Sequence, residues 1–216
     1  MTQQPISAIS TSNSWHARTT GAATRAMRAI SEIAAMLVMG LFVMGSASAQ
    51  SGIEIDTSFA GGKLTELSAM KTTLSVPAFA DEREIEDPRV IFTGEPAENG
   101  TAMADRPFAE IVGEAMESAF AASDARLADE GAGMRLAGTL IATEAALVDR
   151  GGVESLQLTF RTSIQLVEGT RIVWQTKLFG RGTAPVSQGT AAAVRKALDR
   201  LAEELLIDDY FLAEIR

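Results

Sequence analysis

The sequence predicts an α+β domain, in which a four-stranded mixed sheet in the order β-α-β-β-β-α carries two helices on one face. Two segments, 105–124 and the one that begins near Thr190, repeat apolar residues with the period of a helix, and the segment between them alternates with the period of a strand. A strand that is joined through a helix to the next strand crosses over right-handed, so both helices are expected on the same face. The predicted domain is 71–216, and an arm at 50–70 leads into it.

A secretory signal peptide is predicted at 1–49. The uncharged run Ile33–Gly45 follows Arg25 and Arg28 and precedes a series of small residues, which is the order found in a cleavable signal. A retained membrane anchor is the alternative, but these 13 residues at about 1.5 Å each span roughly 20 Å of a hydrocarbon core about 30 Å thick. Translation from Met27 is a second hypothesis, because the region before it is long and polar. The protein is therefore expected in the periplasm or secreted, near a membrane but not spanning it once the signal is cleaved.

Charge and residue usage exclude several classes of function. The whole chain has 216 residues, with 19 basic residues, 28 acidic residues, one His and no Cys. Because 1–49 hold three Arg, one Glu and His16, the chain from Gln50 onward has 16 basic and 27 acidic residues, a net charge of −11, and neither His nor Cys. An acidic protein is not expected to bind nucleic acid. The absence of His and Cys excludes Ser-His-Asp and Cys-His catalysis and imidazole or thiolate metal sites, so no cofactor or metal is predicted.

The first elements of the domain precede a long loop. The segment Thr72–Ala80 (TTLSVPAFA) is predicted as a strand that lies at a sheet edge or bulges at Pro77, because Pro cannot donate to a sheet ladder. The segment Asp81–Asp105 is rich in turn-forming residues and is predicted as a loop, with a short strand at Arg89–Phe92 in its centre.

The segment 105–124 is the clearest helix. Asp105 is a preferred N-cap residue, Pro107 is tolerated in a first turn, and Glu110 lies near the positive end of the helix dipole. One apolar stripe follows at helical spacing, formed by Phe108, Ile111, Val112, Ala115, Met116, Ala119 and Phe120. The other side is acidic, so the helix is expected to pack on the sheet with its acidic side in water.

Three strands follow, at Met134–Val148, Val153–Val167 and Arg171–Gly182, with hairpin turns between them. Period-2 alternation over ten residues of the middle strand predicts one buried face and one face in water. The face in water is expected to carry Gln157, Thr159, Arg161, Ser163 and Gln165. In the third strand one parity holds Ile172, Trp174 and Leu178, and the other includes the charged positions.

The final helix begins near Thr190 and has a buried stripe formed by Val194, Ala197, Leu198, Leu201 and Leu205. Asp208 and Asp209 are expected to break this helix, and the next three residues, Tyr210-Phe211-Leu212, are expected to cover the core.

Together these features resemble a group of small envelope proteins. The signal peptide, the element order, the strand meander LQLTFRTSIQLVEGTRIVWQTKLFGRG and a closing helix that ends in LLIDDYFLAEI are similar to the YajG-type proteins, which face the periplasm and are mostly lipoproteins. Related members are auxiliary subunits of lipid-transport ABC systems and accessory proteins of outer-membrane assembly. The resemblance covers about 71–216 and implies a non-enzymatic role with an envelope protein or a lipid-transport component as partner. Gln50 stands where a lipidated Cys is expected, so anchoring by acylation is not implied.

Several candidate sites have two readings. The acidic run Asp81–Asp87 offers oxygen ligands for Ca²⁺ but lacks the spaced pattern with a central Gly, which favours a solvated loop. Glu144 and Asp149 have the residue types of a glycosidase pair, although among 27 acidic residues some pair always occurs. Trp174 either stacks on a sugar or lipid headgroup or belongs to the core, and the alternation favours the core. The segment Gly180-Arg181-Gly182 lacks the helix start of a phosphate cradle.

The sequence thus predicts an exported, non-enzymatic envelope accessory or assembly protein that acts by binding. The predicted contact residues are Gln157, Thr159, Arg161 and Gln165, together with the Asp81–Asp105 loop, and the partner is a protein or a lipid-bearing component. The main alternative is a carboxylate-based hydrolase of cell-wall or polysaccharide substrates, and a third reading is a module that binds a ligand between helices and sheet. Edge strands that pair between chains also allow a homodimer.

Overall fold

The computed structural model describes residues 52–62, 65–97, 100–129 and 131–216. The predicted signal peptide at 1–49 and the alternative start at Met27 lie outside these residues. All described residues belong to one compact unit, and its buried hydrophobic side chains form a core cluster between Ile55 and Ile215. A chain that begins at Gln50 therefore contains every residue of this core.

The described residues form seven strands, three α-helices and one 3-10 turn. In chain order the elements are β1 (Leu74–Ser75), β2 (Ala80–Asp81), β3 (Val90–Thr93), β4 (Thr101–Met103), α1 (Phe108–Ala122), β5 (Met134–Asp149), β6 (Glu154–Glu168), β7 (Arg171–Pro185), the 3-10 turn (Val186–Gln188), α2 (Gly189–Leu206) and α3 (Asp209–Ile215). None of the helices within the described residues is long and apolar enough to cross a membrane.

The main sheet is mixed and confirms the predicted fold class. Strands β5, β6 and β7 form a long antiparallel meander, and β1 and β2 both pair with β5 in parallel. β1 and β2 are therefore two pieces of one edge strand, interrupted at 76–79. This arrangement agrees with the strand predicted at Thr72–Ala80 and with its predicted bulge at Pro77.

The interruption in the edge strand allows Phe79 to enter the core. Its side chain is 4% exposed and lies between β5 and α1. A Cβ added at Gly138 of β5 would overlap the Phe79 ring, and one added at Gly113 of α1 would lie 3.1 Å from the Phe79 backbone nitrogen. Glycine at these two positions leaves the space that Phe79 occupies.

Helix α1 packs on the face of the sheet that carries the buried residues of β5 and β6, which we call the inner face: Leu136, Leu140, Leu156, Leu158, Phe160, Ile164 and Leu166. The predicted apolar stripe of α1 is buried, and Phe108 meets Phe160 edge to face with ring centroids 5.1 Å apart. The predicted N-cap at Asp105 is wrong, because the helix begins after Pro107 with no side-chain cap. The Phe108 N–H instead donates to the Pro88 carbonyl oxygen at 2.8 Å.

Helix α2 lies on the same face and approaches β7 closely. A Cβ added at Gly182 would overlap the carbonyl oxygen of Ala193, and one added at Gly180 would overlap the carbonyl oxygen of Ala197. The two alanines are one helical turn apart and fully buried. The Gly180-Arg181-Gly182 segment therefore serves the packing of a helix on a strand.

Two short elements differ from the prediction. Within the predicted Asp81–Asp105 loop, β4 pairs with β3 in a second, two-stranded sheet. After α2, Asp208 does not only interrupt the helix but also caps α3, because its carboxylate accepts a hydrogen bond from the Phe211 N–H at 2.8 Å. Phe211 and Leu212 cover the core as expected, whereas Tyr210 is 81% exposed.

Ile172 also leaves the face that its parity predicts. It is 49% exposed although Trp174 is half-buried. The pairing of β6 with β7 shifts between Leu166 and Val167, so that Leu166 faces Trp174 while Val167 faces Ile172. A bulge of this kind moves the following side chain to the other side of the sheet.

The segment predicted as an N-terminal arm contributes three side chains to the core, those of Ile55, Leu67 and Met70. The same segment is bound to α2, because Asp56 pairs with Arg195 at 2.6 Å and Asp199 accepts a hydrogen bond from the Ala60 N–H at 3.1 Å. Hydrogen bonds from Ser58 lower the pKa of Asp56, whereas burial raises the pKa of Asp199. The two carboxylates of this contact are therefore affected in opposite directions.

Candidate functional site

The side of the meander that faces away from the helices is the candidate site, and we call it the outer face. It consists of alternate residues of three strands: on β5 Arg135, Ala137, Thr139, Ala142, Glu144, Ala146 and Val148; on β6 Ser155, Gln157, Thr159, Arg161, Ser163, Gln165 and Val167; on β7 Ile172, Gln175, Lys177, Phe179, Arg181, Thr183 and Pro185. The assignment follows from the register, because residues directly opposite each other in a ladder point to the same side.

The four predicted contact residues lie in one row of the outer face, on the central strand β6. Gln157, Thr159 and Gln165 are half-buried and Arg161 is exposed. Arg161 forms an ion pair across the face with Glu144 of β5. The structure thus brings the four residues together on one surface, and their role in binding a partner stays a prediction.

Cationic side chains gather on the outer face of an otherwise acidic protein. Arg135, Arg161, Lys177 and Arg181 lie there, and Glu144 is the one acidic residue among its positions. The outer face thus holds four of the 16 basic residues but one of the 27 acidic residues of the chain from Gln50. The side chains of Arg135, Lys177 and Arg181 form no ion pair or hydrogen bond with any described residue.

Phe179 lies among these cations and was not anticipated from the sequence. Its side chain is 54% exposed, it follows Lys177 and precedes Arg181 at spacings of two residues, and it pairs directly with Arg161 on β6. The sequence nevertheless indicates an exposed apolar residue here, because Leu178 and Phe179 are neighbours in a strand and must point to opposite faces. One of these two large apolar side chains therefore had to lie on the outer face.

The Asp81–Asp105 loop, the other predicted contact region, is fastened to the inner side of the fold by Arg83. The Arg83 side chain is 4% exposed and pairs with Asp81 at 2.6 Å, and it donates to the Val90 carbonyl oxygen at 2.6 Å. Its guanidinium also lies 5.5 Å from the centroid of the Phe108 ring of α1. A cation held in this way positions the loop, so the outer face stands apart from it as the candidate surface.

The two carboxylates considered for a hydrolase do not converge. Glu144 lies on the outer face and pairs with Arg161, whereas Asp149 ends β5 and accepts a hydrogen bond from the Gly152 N–H at 2.9 Å in the hairpin turn. Five residues of strand separate them, which is about 16 Å. Glycosidase carboxylates lie about 5 to 10 Å apart, so this pair does not have that geometry.

The two aspartates at the ends of the acidic run Asp81–Asp87 are paired with neighbouring arginines. Asp81 pairs with Arg83 and Asp87 pairs with Arg89 at 2.7 Å. Side-chain hydrogen bonds from Arg89 lower the pKa of Asp87. In the part of the chain that the structure describes, no group of three or more acidic side chains is placed to hold a metal ion.

Trp174 packs against the core as the alternation predicted. It is half-buried, and its ring centroid lies 5.1 Å from that of Phe211 in α3. The indole is therefore on the helix side of the sheet and is not part of the outer face.

Two surface depressions lie elsewhere. One of about 460 Å³ is formed by the N-terminal segment and the end of α1, with Phe59, Glu66 and Asp124 in its lining. The other, of about 200 Å³, lies between β3 and β5, with Phe92 and Thr143 in its lining. Neither one is the cavity between helices and sheet that a ligand-binding module of the predicted kind would use.

Comparisons with known proteins give a likeness of fold. No family model matches the chain, and a search of the curated proteins finds no match either. The structure is similar to that of protein XCC0632 from Xanthomonas campestris, assigned to the family model DUF330, with a TM-score of 0.52 and 17% identity over 75% of this chain and 96% of that chain. Weaker similarities are to a minor lipoprotein from Acinetobacter baumannii, with a TM-score of 0.34 and 13% identity over 62% and 88% of the two chains, and to the PelC dodecamer from Paraburkholderia phytofirmans, with a TM-score of 0.33 and 15% identity over 68% and 92%. The chain therefore shares its fold with the DUF330 protein.

Proposed function

We propose that this chain is an exported, non-enzymatic accessory or assembly protein of the bacterial envelope, and that it binds its partner through the outer face. The predicted signal peptide at 1–49 supports export, and the resemblance of the sequence to the YajG-type proteins supports a role in the envelope. The observation that carries the proposal is the composition of the outer face.

The outer face has the properties of a binding surface in three respects. Its glutamine, threonine and serine side chains offer hydrogen-bond donors and acceptors, and most of these side chains are already half-buried. They therefore lose less conformational freedom when a partner binds. Three of its cations have no partner among the described residues. Phe179 adds exposed apolar area in the middle of these charges.

Site-specific photo-crosslinking in the producing cell tests this proposal. A diazirine amino acid that reacts with both protein and lipid replaces Gln175, an exposed residue of the outer face, or Glu110, an exposed residue of α1. We expect adducts to envelope material from position 175 and few from position 110. Equal labelling at both positions, or no adduct at position 175, would contradict the proposal. Glycan hydrolysis by the purified protein would contradict the non-enzymatic role and favour the hydrolase alternative.

A further inference from the structure

We infer that the outer face docks onto a membrane surface that carries anionic phospholipids. This inference rests on the proposed function, because it names the partner of the same face. The structure joins four features in one layer: Arg135 on β5, Arg161 on β6, and on β7 Phe179 between Lys177 and Arg181.

The distribution of charge determines which side of the protein can approach an anionic surface. With four basic residues and one acidic residue the outer face has a net charge of +3, and the rest of the chain from Gln50, with 12 basic and 26 acidic residues, has a net charge of −14. The solvent side of α1 is acidic, with Glu110 and Glu114 exposed, whereas α2 carries equal numbers of basic and acidic residues. An anionic surface therefore attracts the outer face and repels the acidic part of the opposite side, around α1, which orients the protein.

The geometry of a sheet allows the cations to act together. Alternate side chains of a strand are about 7 Å apart, and residues opposite each other on neighbouring strands are about 5 Å apart. Lys177, Arg181 and Arg161 therefore surround Phe179 at these spacings, in a layer with no wall or cleft between them. All of them can reach lipid headgroups at once, within the Debye length of about 8 Å over which exposed charges act.

Phe179 has a position that suits the boundary between headgroups and acyl chains. An aromatic side chain with cations around it can insert its ring while the cations remain at the level of the phosphates. In water the same ring is more than half exposed, so insertion would remove apolar area from water without rearrangement of the sheet. This gives the face an apolar contribution in addition to its charge.

Protection of a sheet edge and a protein interface are two alternative roles for these cations, and each accounts for less of the pattern. Lysine and arginine on an edge strand prevent edge-to-edge association, which fits Lys177 and Arg181 on β7 but not Arg161 on the central strand or an exposed phenylalanine. A stable protein interface has an apolar centre that is poor in charge. The outer face around Phe179 has the opposite composition, because Arg161, Lys177 and Arg181 are its nearest neighbours there.

Vesicle co-sedimentation of the chain that begins at Gln50 tests the inference. This chain contains the whole core and lacks the apolar run Ile33–Gly45, which could bind lipid independently. Vesicles of phosphatidylcholine are compared with vesicles that also contain phosphatidylglycerol. We expect binding only to the second kind, with an affinity that falls as salt is added, because the attraction is electrostatic.

Matched variants locate the binding on the outer face. The double variant Lys177→Gln and Arg181→Gln removes two of its cations, and Lys71→Gln with Arg216→Gln removes two exposed cations from elsewhere. We expect the first to weaken vesicle binding about 25-fold, at about fivefold per cation, and the second to have an effect below about twofold. Phe179→Ala should weaken binding while leaving its dependence on phosphatidylglycerol unchanged.

Other results separate this inference from the proposed function. Absence of binding to phosphatidylglycerol vesicles, or equal losses in the two double variants, would overturn the inference. If the crosslinker at position 175 then captured a single envelope protein, or a second copy of this chain, the partner would be a protein. The proposed function would in that case stand while the membrane inference fell.

Discussion

Replacement of Gly182 by alanine tests the close contact between α2 and β7. The added Cβ would lie within 3.0 Å of three backbone atoms of α2, the carbonyl oxygen of Ala193, the nitrogen of Ala197 and, at 2.9 Å, the carbonyl carbon of Lys196. Real Cβ atoms are not found at such distances, and ordinary contacts begin at 3.4 Å. Because all three atoms belong to the helix backbone, no change of side-chain rotamer can relieve the overlap, and α2 as a whole has to move away from the strand.

The expected cost follows from what moves with the helix. The side of α2 that faces the sheet buries Ala193, Val194, Ala197, Leu198, Leu201, Ala202, Leu205 and Leu206. A gap of about 0.5 to 1 Å forfeits a quarter to a half of the dispersion energy of each contact, and a core that is overpacked by one methyl group loses about 1 to 3 kcal/mol. We place Gly182→Ala at about 3 kcal/mol, the upper end of that range, because backbone atoms are involved. This is a large share of the roughly 5 to 15 kcal/mol that is typical of a domain.

Urea unfolding of the chain from Gln50, followed by circular dichroism, measures this loss. The matched control is Gly62→Ala, since among the described residues its added Cβ would meet only Glu203 Oε1, at 3.7 Å. Its stability should stay within about 0.5 kcal/mol of the parent. Gly180→Ala should resemble Gly182→Ala, because its Cβ would overlap the carbonyl oxygen of Ala197. A loss below about 1 kcal/mol for Gly182→Ala, or equal losses for Gly182→Ala and Gly62→Ala, would refute the reasoning.

Three further predictions concern other parts of the fold. Burial raises the pKa of Asp199, so its ionisation costs stability as the pH rises through the folded-state pKa, and Asp199→Asn should raise stability at neutral pH but not in acid. Hydrogen bonds lower the pKa of Asp56, so the stability that its carboxylate contributes is present above the unfolded-state pKa and is lost as the pH falls through the folded-state pKa. Asp56→Asn should therefore lower stability at neutral pH. A change of the same sign for Asp199→Asn and Asp56→Asn in urea unfolding would count against these opposite roles. Arg83→Met removes one partner of a buried ion pair and should cost about 3 kcal/mol in the same assay, with a loss below about 1 kcal/mol speaking against the role of this residue. Phe211→Ala removes the ring beside Trp174, the only tryptophan of the chain from Gln50. The variant should lose about 3 to 4 kcal/mol of stability, and its tryptophan fluorescence emission should shift to the red. An unchanged emission spectrum would contradict the contact between the two rings.

The sequence was sufficient for elements whose burial repeats over many residues. The apolar stripe of α1 extends over three or more helical turns, and the alternation of β6 extends over ten residues. Each pattern therefore predicts both the element and its buried side. The missed elements are short: β4 has three residues and α3 has seven, and neither offers enough positions to establish a period. The exposure of Ile172 depends on a shift in the pairing of β6 with β7, which a single strand does not reveal.

The candidate site was predictable only in part, because the pairing between strands cannot be read from one strand alone. Gln157, Thr159, Arg161 and Gln165 could be assigned to one face because they lie on the strand with the clearest alternation. The other members of the outer face come from β5 and β7, and their place beside β6 depends on the register across two hairpins. Phe179 becomes noticeable only when this register brings it opposite Arg161.

Net charge and surface charge lead to different conclusions about partners of this protein. The negative net charge describes the field far from the molecule, and taken alone it argues against anionic partners. Exposed charges act over a Debye length of about 8 Å, whereas a helix is about 10 Å across, so the acidic solvent side of α1 is largely screened from the outer face. A surface that touches the outer face therefore experiences Arg135, Arg161, Lys177 and Arg181 with little influence from the acidic side. Binding to anionic vesicles by the chain from Gln50, with its net charge of −11, would consequently be a direct measure of this separation of charge between the two sides of one sheet.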